Sequence, residues 1–503
     1  MNSKYQKKPE AACQSLIRHI GMAFVTLVLF CGCNDYLDVT PRSQIKSDVI
    51  YSTETGYKEV LMGVYINMSS SSLYGGNMTM YVPEMISHTW NPIYAGAYNA
   101  LYNQDYTNAE VESLLSAIYL RYYSNIVQLN DLLTQLERPE CAFQYNNDKL
   151  MRGEALGLRA FLHLELLRFF GPVPVDVSPS AKAIPYTTTV TNEIDKLKIR
   201  NWSEVVSAIE NDLTQAEALL KDYDPITKTT VDTLRYSSYA GRGNAPMDEW
   251  QFHRQCRMNY YAVLATKARL YHWIGDKANA VRYARQVVDE RKFSLVTGTY
   301  FSTGRVDVSL SLYPEFLFGL QNPDLQTTVN TYFKVQTALF TQSAANLNVA
   351  YENSINANDF RNSPNLYWED VVWPGNQTIH HFRKYSGNTT ISPDNRIPLI
   401  RLPEMYLILS EDLPLGEAMT YFTEFRTSRA MDTSVDESSF ADESSRMSRM
   451  EKEYRKEFMG EGQMFFFYKH HNYSTFTWPS AYEVPANAYN VPLPKGQTSF
   501  DNI

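Results

Sequence analysis

Apolar residues recur at three- and four-residue spacing in several separated stretches of the chain, a pattern that predicts amphipathic helices rather than strands. The stretch at about 111–136 shows it with Val111, Leu115, Ile118, Ile126, Leu129, Leu133 and Leu136. A second helix is expected at about 148–170, ending at the breaker pair Gly171-Pro172. A third, about 203–220, aligns Val206, Ile209, Leu213, Ala216 and Leu220 on one stripe. Asn201 and Glu204 supply the two ends of a capping box at its start. A helix near Glu54–Met68 comes first, and from Ser69 to Tyr106 a long loop region shows no helical period.

The clearest repeat lies at 258–290. Small Ala268 and Ala280 allow two helices to approach closely, Gly275-Asp276 turns the chain between them, and Tyr271 and Ala284 complete a spacing similar to a tetratricopeptide hairpin. Similar pairs are expected at 54–136, 148–220 and 404–429, where Pro403 suits a first helical turn. Unequal insertions separate them. The expected fold class is therefore mostly α: an α/α superhelix of TPR-like helical hairpins with long loop-rich insertions.

The N-terminus carries an address. Lys4, Lys7, Lys8 and Arg18 precede an apolar run from Ile20 to Phe30, too short to span a bilayer but matching the core of a secretory signal. The run ends in Phe30-Cys31-Gly32-Cys33, with a small residue directly before a cysteine, the shape of a bacterial lipobox. The expectation is a lipoprotein signal peptide at 1–32, lipid attachment at Cys33, and one domain at 33–503. Cleavage near Gly32 to give an ordinary secreted protein is the alternative.

Composition narrows the function classes. The 503 residues are 44% hydrophobic and 20% charged, which describes a folded chain, and the formal net charge is −9. Without residues 1–32 the balance is 42 basic against 54 acidic residues, so nucleic acid is not an expected partner. Cys141 and Cys256, the cysteines beyond Cys33, are either a disulfide or two buried thiols, and their spacing is not that of a metal site. The pairs His380-His381 and His470-His471 are adjacent, so neither pair alone is expected to make a metal site. Glu154 with Arg159, Arg401 with Glu404, and Glu457 with Glu461 fit ion pairs better than a catalytic acid. No metalloprotease, nucleophile-elbow or Walker motif occurs. The expectation is a protein without catalysis, cofactor or metal.

Rings remain as candidates. The chain has 36 Tyr and 7 Trp, and sugar C–H faces stack on such rings while hydroxyls seek Asn, Asp, Gln and Arg. Trp90, Tyr94 and Tyr98 stand among Asn91, Asn99 and Asn103, with Tyr74 nearby; Trp368 and Trp373 adjoin Tyr367, Glu369 and Asp370; Trp478 precedes Pro479. Packing of the loops is the competing role for each ring. The four-residue spacing of Trp90, Tyr94, Tyr98 and Tyr102 also suits a short buried helix face.

Five segments in order resemble the SusD/RagB-like lipoproteins of Bacteroidetes outer membranes. They are Cys33-Asn34-Asp35-Tyr36-Leu37-Asp38 with Pro41, and Gly153-Glu154-Ala155 through Arg159-Ala160 to Phe170-Gly171-Pro172-Val173-Pro174. Then come Tyr261 to Asp289, Ile397-Pro398-Leu399-Ile400-Arg401 with Glu404-Met405-Tyr406-Leu407, and Tyr454-Arg455-Lys456-Glu457-Phe458 with Gly460-Glu461-Gly462. After Gly462 the run Phe465-Phe466-Phe467-Tyr468-Lys469 departs from the family's usual aromatic-Asp-Leu, which leaves ligand type and subfamily open. The resemblance implies a cell-surface lipoprotein anchored in the outer membrane that captures a nutrient, commonly an oligosaccharide. It implies delivery to a SusC-like TonB-dependent transporter. Peptide binding on the same fold and a protein-interaction scaffold are the rival functions; a glycoside hydrolase is the weakest, since no carboxylate pair is tied to a ligand loop.

Overall fold

A computed structural model of the chain describes residues 47–90, 96–302, 308–334, 340–363, 366–373, 377–388, 390–434 and 436–500. The expected signal peptide, Cys33 and Tyr94 lie outside the described residues. The chain divides into two units, one up to Ser52 and one from Thr53 onward. In the first, the described residues hold the short helix Ser47–Ile50.

The unit from Thr53 contains the expected hairpins. Helix α1 (Glu54–Ser69) packs on α2 (Ala109–Gln135), α3 (Asn147–Phe170) on α4 (Trp202–Tyr223), and α5 (Tyr260–Trp273) on α6 (Lys277–Asp289). After α7 (Leu325–Phe333), α8 (Leu402–Asp412) packs on α9 (Leu415–Ser428), and α10 (Glu443–Phe458) leads into α11 (Gln463–His470). Short antiparallel strand pairs decorate this scaffold: β1 (Phe316–Gln321) with β4 (Arg396–Arg401), and β2 (Trp368–Trp373) with β3 (Gln377–Phe382). The fold is mostly α with few strands, as the spacing of apolar residues requires.

Local chemistry fixes the boundaries. The Asn201–Glu204 capping box forms, with the Asn201 N–H donating to Glu204 Oε2 at 2.9 Å. Gly275 takes φ +79°, and the Asp276 side chain accepts from the Asn279 N–H at 3.1 Å to start α6. Ala268 and Ala280 are fully buried where α5 and α6 meet. The long region after Ser69 is more ordered than its lack of period suggests. It contains the helices Val82–Ile86 and Gly96–Tyr102, each too short for a helical repeat to register in the sequence.

Helix α3 is buried along nearly its whole length and forms the centre of the unit. Glycine lets its neighbours reach it: a Cβ at Gly157 would sit 2.6 Å from Met258 Cγ, and one at Gly153 would sit 2.8 Å from Leu220 Cγ. Its Glu154 and Arg159 pair with distant partners rather than with each other. Arg159 makes a bidentate bridge to Asp212 at 2.7 and 2.8 Å, and Glu154 meets Arg254 and accepts from the Tyr65 hydroxyl at 2.6 Å.

A larger buried network joins the late motifs. Arg401 at the end of β4 reaches Glu457 at 2.5 Å, Glu461 at 2.6 Å and Glu315 at 3.1 Å. Arg429 bridges Glu315 and Glu457, and Arg361 adds a third guanidinium on Glu457 at 2.7 Å. These three guanidiniums hold the Glu457 carboxyl well below its ordinary 4.5, against the burial that opposes its charge. Glu404, expected beside Arg401, instead binds Arg269. The four-residue spacing of Glu457 and Glu461 serves cation binding. Cys141 and Cys256 are both free thiols, so of the two alternatives the unbridged one is found.

Candidate functional site

The rings nominated from the sequence are gathered, but inward. Trp90 is 1% exposed, Trp368 2%, and Tyr74 and Trp478 3%. Trp90 and Trp368, 278 positions apart, come within 6.4 Å between ring centroids, and Phe333, Phe340 and Phe382 surround Trp90 at 5.4–5.6 Å. Each indole N–H is used. Trp90 Nε1 donates to Glu84 Oε2 at 2.9 Å, Trp368 Nε1 to the Arg361 carbonyl at 3.2 Å, and Trp478 Nε1 to the Asn346 carbonyl at 3.0 Å. Tyr74 packs edge-on against Tyr122. The expectation that these four rings offer exposed sugar platforms is corrected. A fully buried indole with its N–H satisfied is a packing group, because apolar area and polar satisfaction both favour the interior.

Glu84 shows how firmly this interior is held. Its carboxyl also accepts from the Gly460 N–H at 3.1 Å and the Gly462 N–H at 2.8 Å, so the Gly-Glu-Gly motif closes on the Trp90 loop. A Cβ on Gly462, which takes φ +73°, would meet the Met78 carbonyl oxygen at 2.7 Å. Burial pushes the Glu84 carboxyl up to about 8, against the three N–H donors that favour its charged form.

What reaches the surface is the outer rim of the same aromatic cluster. Leu325, Val329 and Phe333 share one face of α7 and are buried, and Phe382 ends β3 opposite Trp368 in the register of the β2–β3 pair. Phe333 and Phe382 floor a cleft of about 310 Å³ whose walls include Asn330, Lys334, Glu369, Arg383 and Asn388. Arg383 pairs with Glu369 across its edge. His381 Nδ1–H donates to the Phe333 carbonyl at 2.9 Å, and burial lowers its pKa, which favours the neutral ring as a fixed tether between strand and helix. Next to Phe333, the half-buried Tyr332 ring stacks on Tyr81 at 5.5 Å, and half-buried Tyr98 meets Tyr81 at a tilt, also at 5.5 Å. Tyr98 is thus the one nominated ring with a described side chain that keeps an accessible face. The Trp373 side chain lies outside the described residues.

Asn330, Lys334 and Arg383 were missed from sequence. The signal was present for the helix, since Leu325, Val329 and Phe333 recur every fourth residue, but about two and a half turns are too short to stand out. A second concavity of about 340 Å³ lies between Thr230–Arg235 and Lys292–Tyr300, with Lys292, Asp232 and Arg235 on its walls. Apolar floor, rim cations, a carboxylate and amides make the α7/β2–β3 cleft suited to holding a polar molecule with apolar faces.

Fold and cleft together define an α-helical scaffold of stacked hairpins with a cleft between α7 and the β2–β3 pair. Residues 35–236 match the family model SusD-like_3, described as "Starch-binding associating with outer membrane". Among solved structures, a SusD superfamily protein from Bacteroides thetaiotaomicron is similar at TM-score 0.64 and 19% identity, covering 89% of this chain and 98% of its own. A second, from Bacteroides vulgatus, gives TM-score 0.65 and 17% identity over 89% and 97%. A structure titled a SusD-like carbohydrate binding protein, also from Bacteroides vulgatus, gives 0.63 and 17% over 89% and 96%. No curated protein matches the chain. Residues 35–236 are thus similar in sequence to the SusD-like family model, and about nine tenths of the chain shares the fold of these solved structures.

Proposed function

We propose that the protein binds an oligosaccharide at the α7/β2–β3 cleft, does not turn it over, and passes it to a TonB-dependent outer-membrane transporter. The observation that carries this reading is the match of residues 35–236 to a starch-binding, outer-membrane-associated family. The cleft supports it chemically: Lys334, Arg383, Glu369 and Asn330 bring charged and amide partners for hydroxyls to a wall backed by buried Phe333 and Phe382. Among the described residues no helix is long and apolar enough to cross a membrane, so tethering falls to the lipid on Cys33 in this reading.

A glycan array and a peptide pool applied to one purified sample test the ligand class. Retention of a defined set of glycans, with no release of reducing sugar, is the expected result. Retention of peptides alone transfers the cleft to the peptide-binding alternative, and released reducing sugar from clean protein contradicts the absence of catalysis. The anchor is tested separately. Cys33→Ser is expected to move the protein from the membrane fraction to the soluble one with its melting temperature unchanged. Continued membrane retention in cells lacking the transporter contradicts lipidation at Cys33.

A further inference from the structure

Three helices end at one place. His272 lies in the last turn of α5, Glu411 and Asp412 close α8, and His470 closes α11, with His471 directly after it. The negative ends of three helix dipoles therefore converge on one cluster of metal-ligating side chains, which favours a cation there. Ligand atoms of His272, Glu411 and His470 all lie within 4.8 Å of one another.

The hydrogen-bonding geometry around the cluster fits a ligand set. Asp412 Oδ2 accepts from His272 Nδ1–H at 2.7 Å, leaving His272 Nε2 facing Glu411 Oε1 at 3.6 Å. His471 Nε2 stands 2.9 Å from the same Glu411 oxygen. The His470 ring meets His272 edge-on and stacks on His471, both at 4.5 Å between centroids. Glu411 is 3% exposed, and its second oxygen, Oε2, is buried without a hydrogen-bond partner. A deeply buried carboxylate oxygen left unpaired among histidines is costly unless something binds it. Beside the cluster a hollow of about 30 Å³ is lined by His272, His470 and Trp273, large enough for a water or an ion. Arg168 also lines it, but that charge is matched by Glu165 at 2.7 Å and lies over the Phe466 ring at 4.0 Å.

We infer that His272, Glu411 and His470 form a divalent transition-metal site, with Asp412 as positioning residue on His272 and His471 or water completing the ion's shell. Two imidazole nitrogens and one carboxylate oxygen suit a borderline ion such as Zn²⁺ and not the all-oxygen shells of Ca²⁺ or Mg²⁺. The aspartate–histidine hydrogen bond is the second partner that metal-bound imidazoles require to fix their tautomer. Binding draws the three ligand atoms in from separations of at most 4.8 Å, already 3.6 Å between His272 and Glu411, to the ~3.3 Å set by ~2.0–2.1 Å bonds in a tetrahedral shell. Rotation of side chains at helix ends supplies that movement. The ion would clasp the ends of α5, α8 and α11, joining the internal hairpin to the C-terminal helices. This revises the sequence expectation: His470 finds its partners 198 and 59 positions away rather than in its neighbour alone.

The test is titration of Zn²⁺ into the full chain, purified without a polyhistidine tag and stripped with chelator. Calorimetry is expected to give one site per chain, with a melting temperature raised by Zn²⁺ and unmoved by Ca²⁺ or Mg²⁺. His470→Ala, on the half-buried rim, is expected to abolish the site, and Asp412→Asn to weaken it by about 10–100-fold. His380→Ala, in the other histidine pair, leaves it intact. Absence of stoichiometric binding to the wild-type chain overturns the assignment without recourse to any variant. So does equal Zn²⁺ affinity in the wild type and His470→Ala.

Discussion

Glu457→Ala is expected to lower the stability of the folded unit by about 3–5 kcal/mol, or to prevent folding. The carboxylate is fully buried and balances Arg401, Arg429 and Arg361 together. Truncation leaves four cations, these three guanidiniums and Lys384, against the three carboxylates of Glu315, Glu461 and Asp359. The magnitude comes from leaving charge unpaired; the intact network is not itself a comparable source of stability. Acid reaches the same failure more gently. Glu457 and Glu352, the latter held at about 2 by Lys456, Arg449 and Lys452 against the burial that opposes its charge, both titrate below their ordinary 4.5. Between about pH 4.5 and 2 these two groups therefore bind more protons in the unfolded chain than in the folded one, so the stability they contribute is full above that window and lost as pH falls through it. Thermal unfolding of Glu457→Ala beside Glu193→Ala, whose exposed ion pair with Lys196 should contribute nothing measurable, checks the contrast. A Glu457→Ala protein that melts with the wild type would show that the network does not hold the fold.

Trp90→Ala is expected to lose about 3–5 kcal/mol of stability, as buried aromatic truncations do. The indole fills the space between Phe333, Phe340, Phe382 and Trp368 and supplies one of the three N–H donors on Glu84. Trp368→Ala should behave alike, since its ring packs on Phe382 at 5.0 Å. This reverses what the sequence suggests for a tryptophan in a polar loop, namely weaker ligand binding at unchanged stability. Urea midpoints for both variants decide it; wild-type midpoints with weakened glycan binding would restore the rings to the surface role.

The scaffold was legible because its information is local. Stripes such as Val206, Ile209, Leu213, Ala216 and Leu220, the Asn201–Glu204 box and the Gly275-Asp276 turn each specify an element within a few residues. The five ordered segments carried the family resemblance for the same reason. The cleft was legible only in part. Sequence placed rings near 90 and 368 but could not show that they meet, because that contact depends on tertiary packing across 278 positions. It also could not tell buried rings from exposed ones, since Trp90 and Tyr98 share the same polar, asparagine-rich surroundings. Burial follows from Glu84, Phe333 and Phe382 arriving from elsewhere in the chain. The His272–Glu411–His470 cluster was invisible for the same reason: adjacency hid His470, and its partners sit on two other helices.

The central claim is that ligand binds in the cleft between α7 and the β2–β3 pair. The direct measurement is a calorimetric titration, with a glycan retained on the array, of the wild type and the Lys334→Ala/Arg383→Ala double variant. Both side chains line the cleft at its accessible rim, and each charge-assisted hydrogen bond to a ligand is worth roughly 1.5–3 kcal/mol. The account predicts an affinity reduced about tenfold or more with the melting temperature essentially unchanged. Wild-type affinity in the double variant, with binding lost instead in Lys292→Ala of the second concavity, would contradict it.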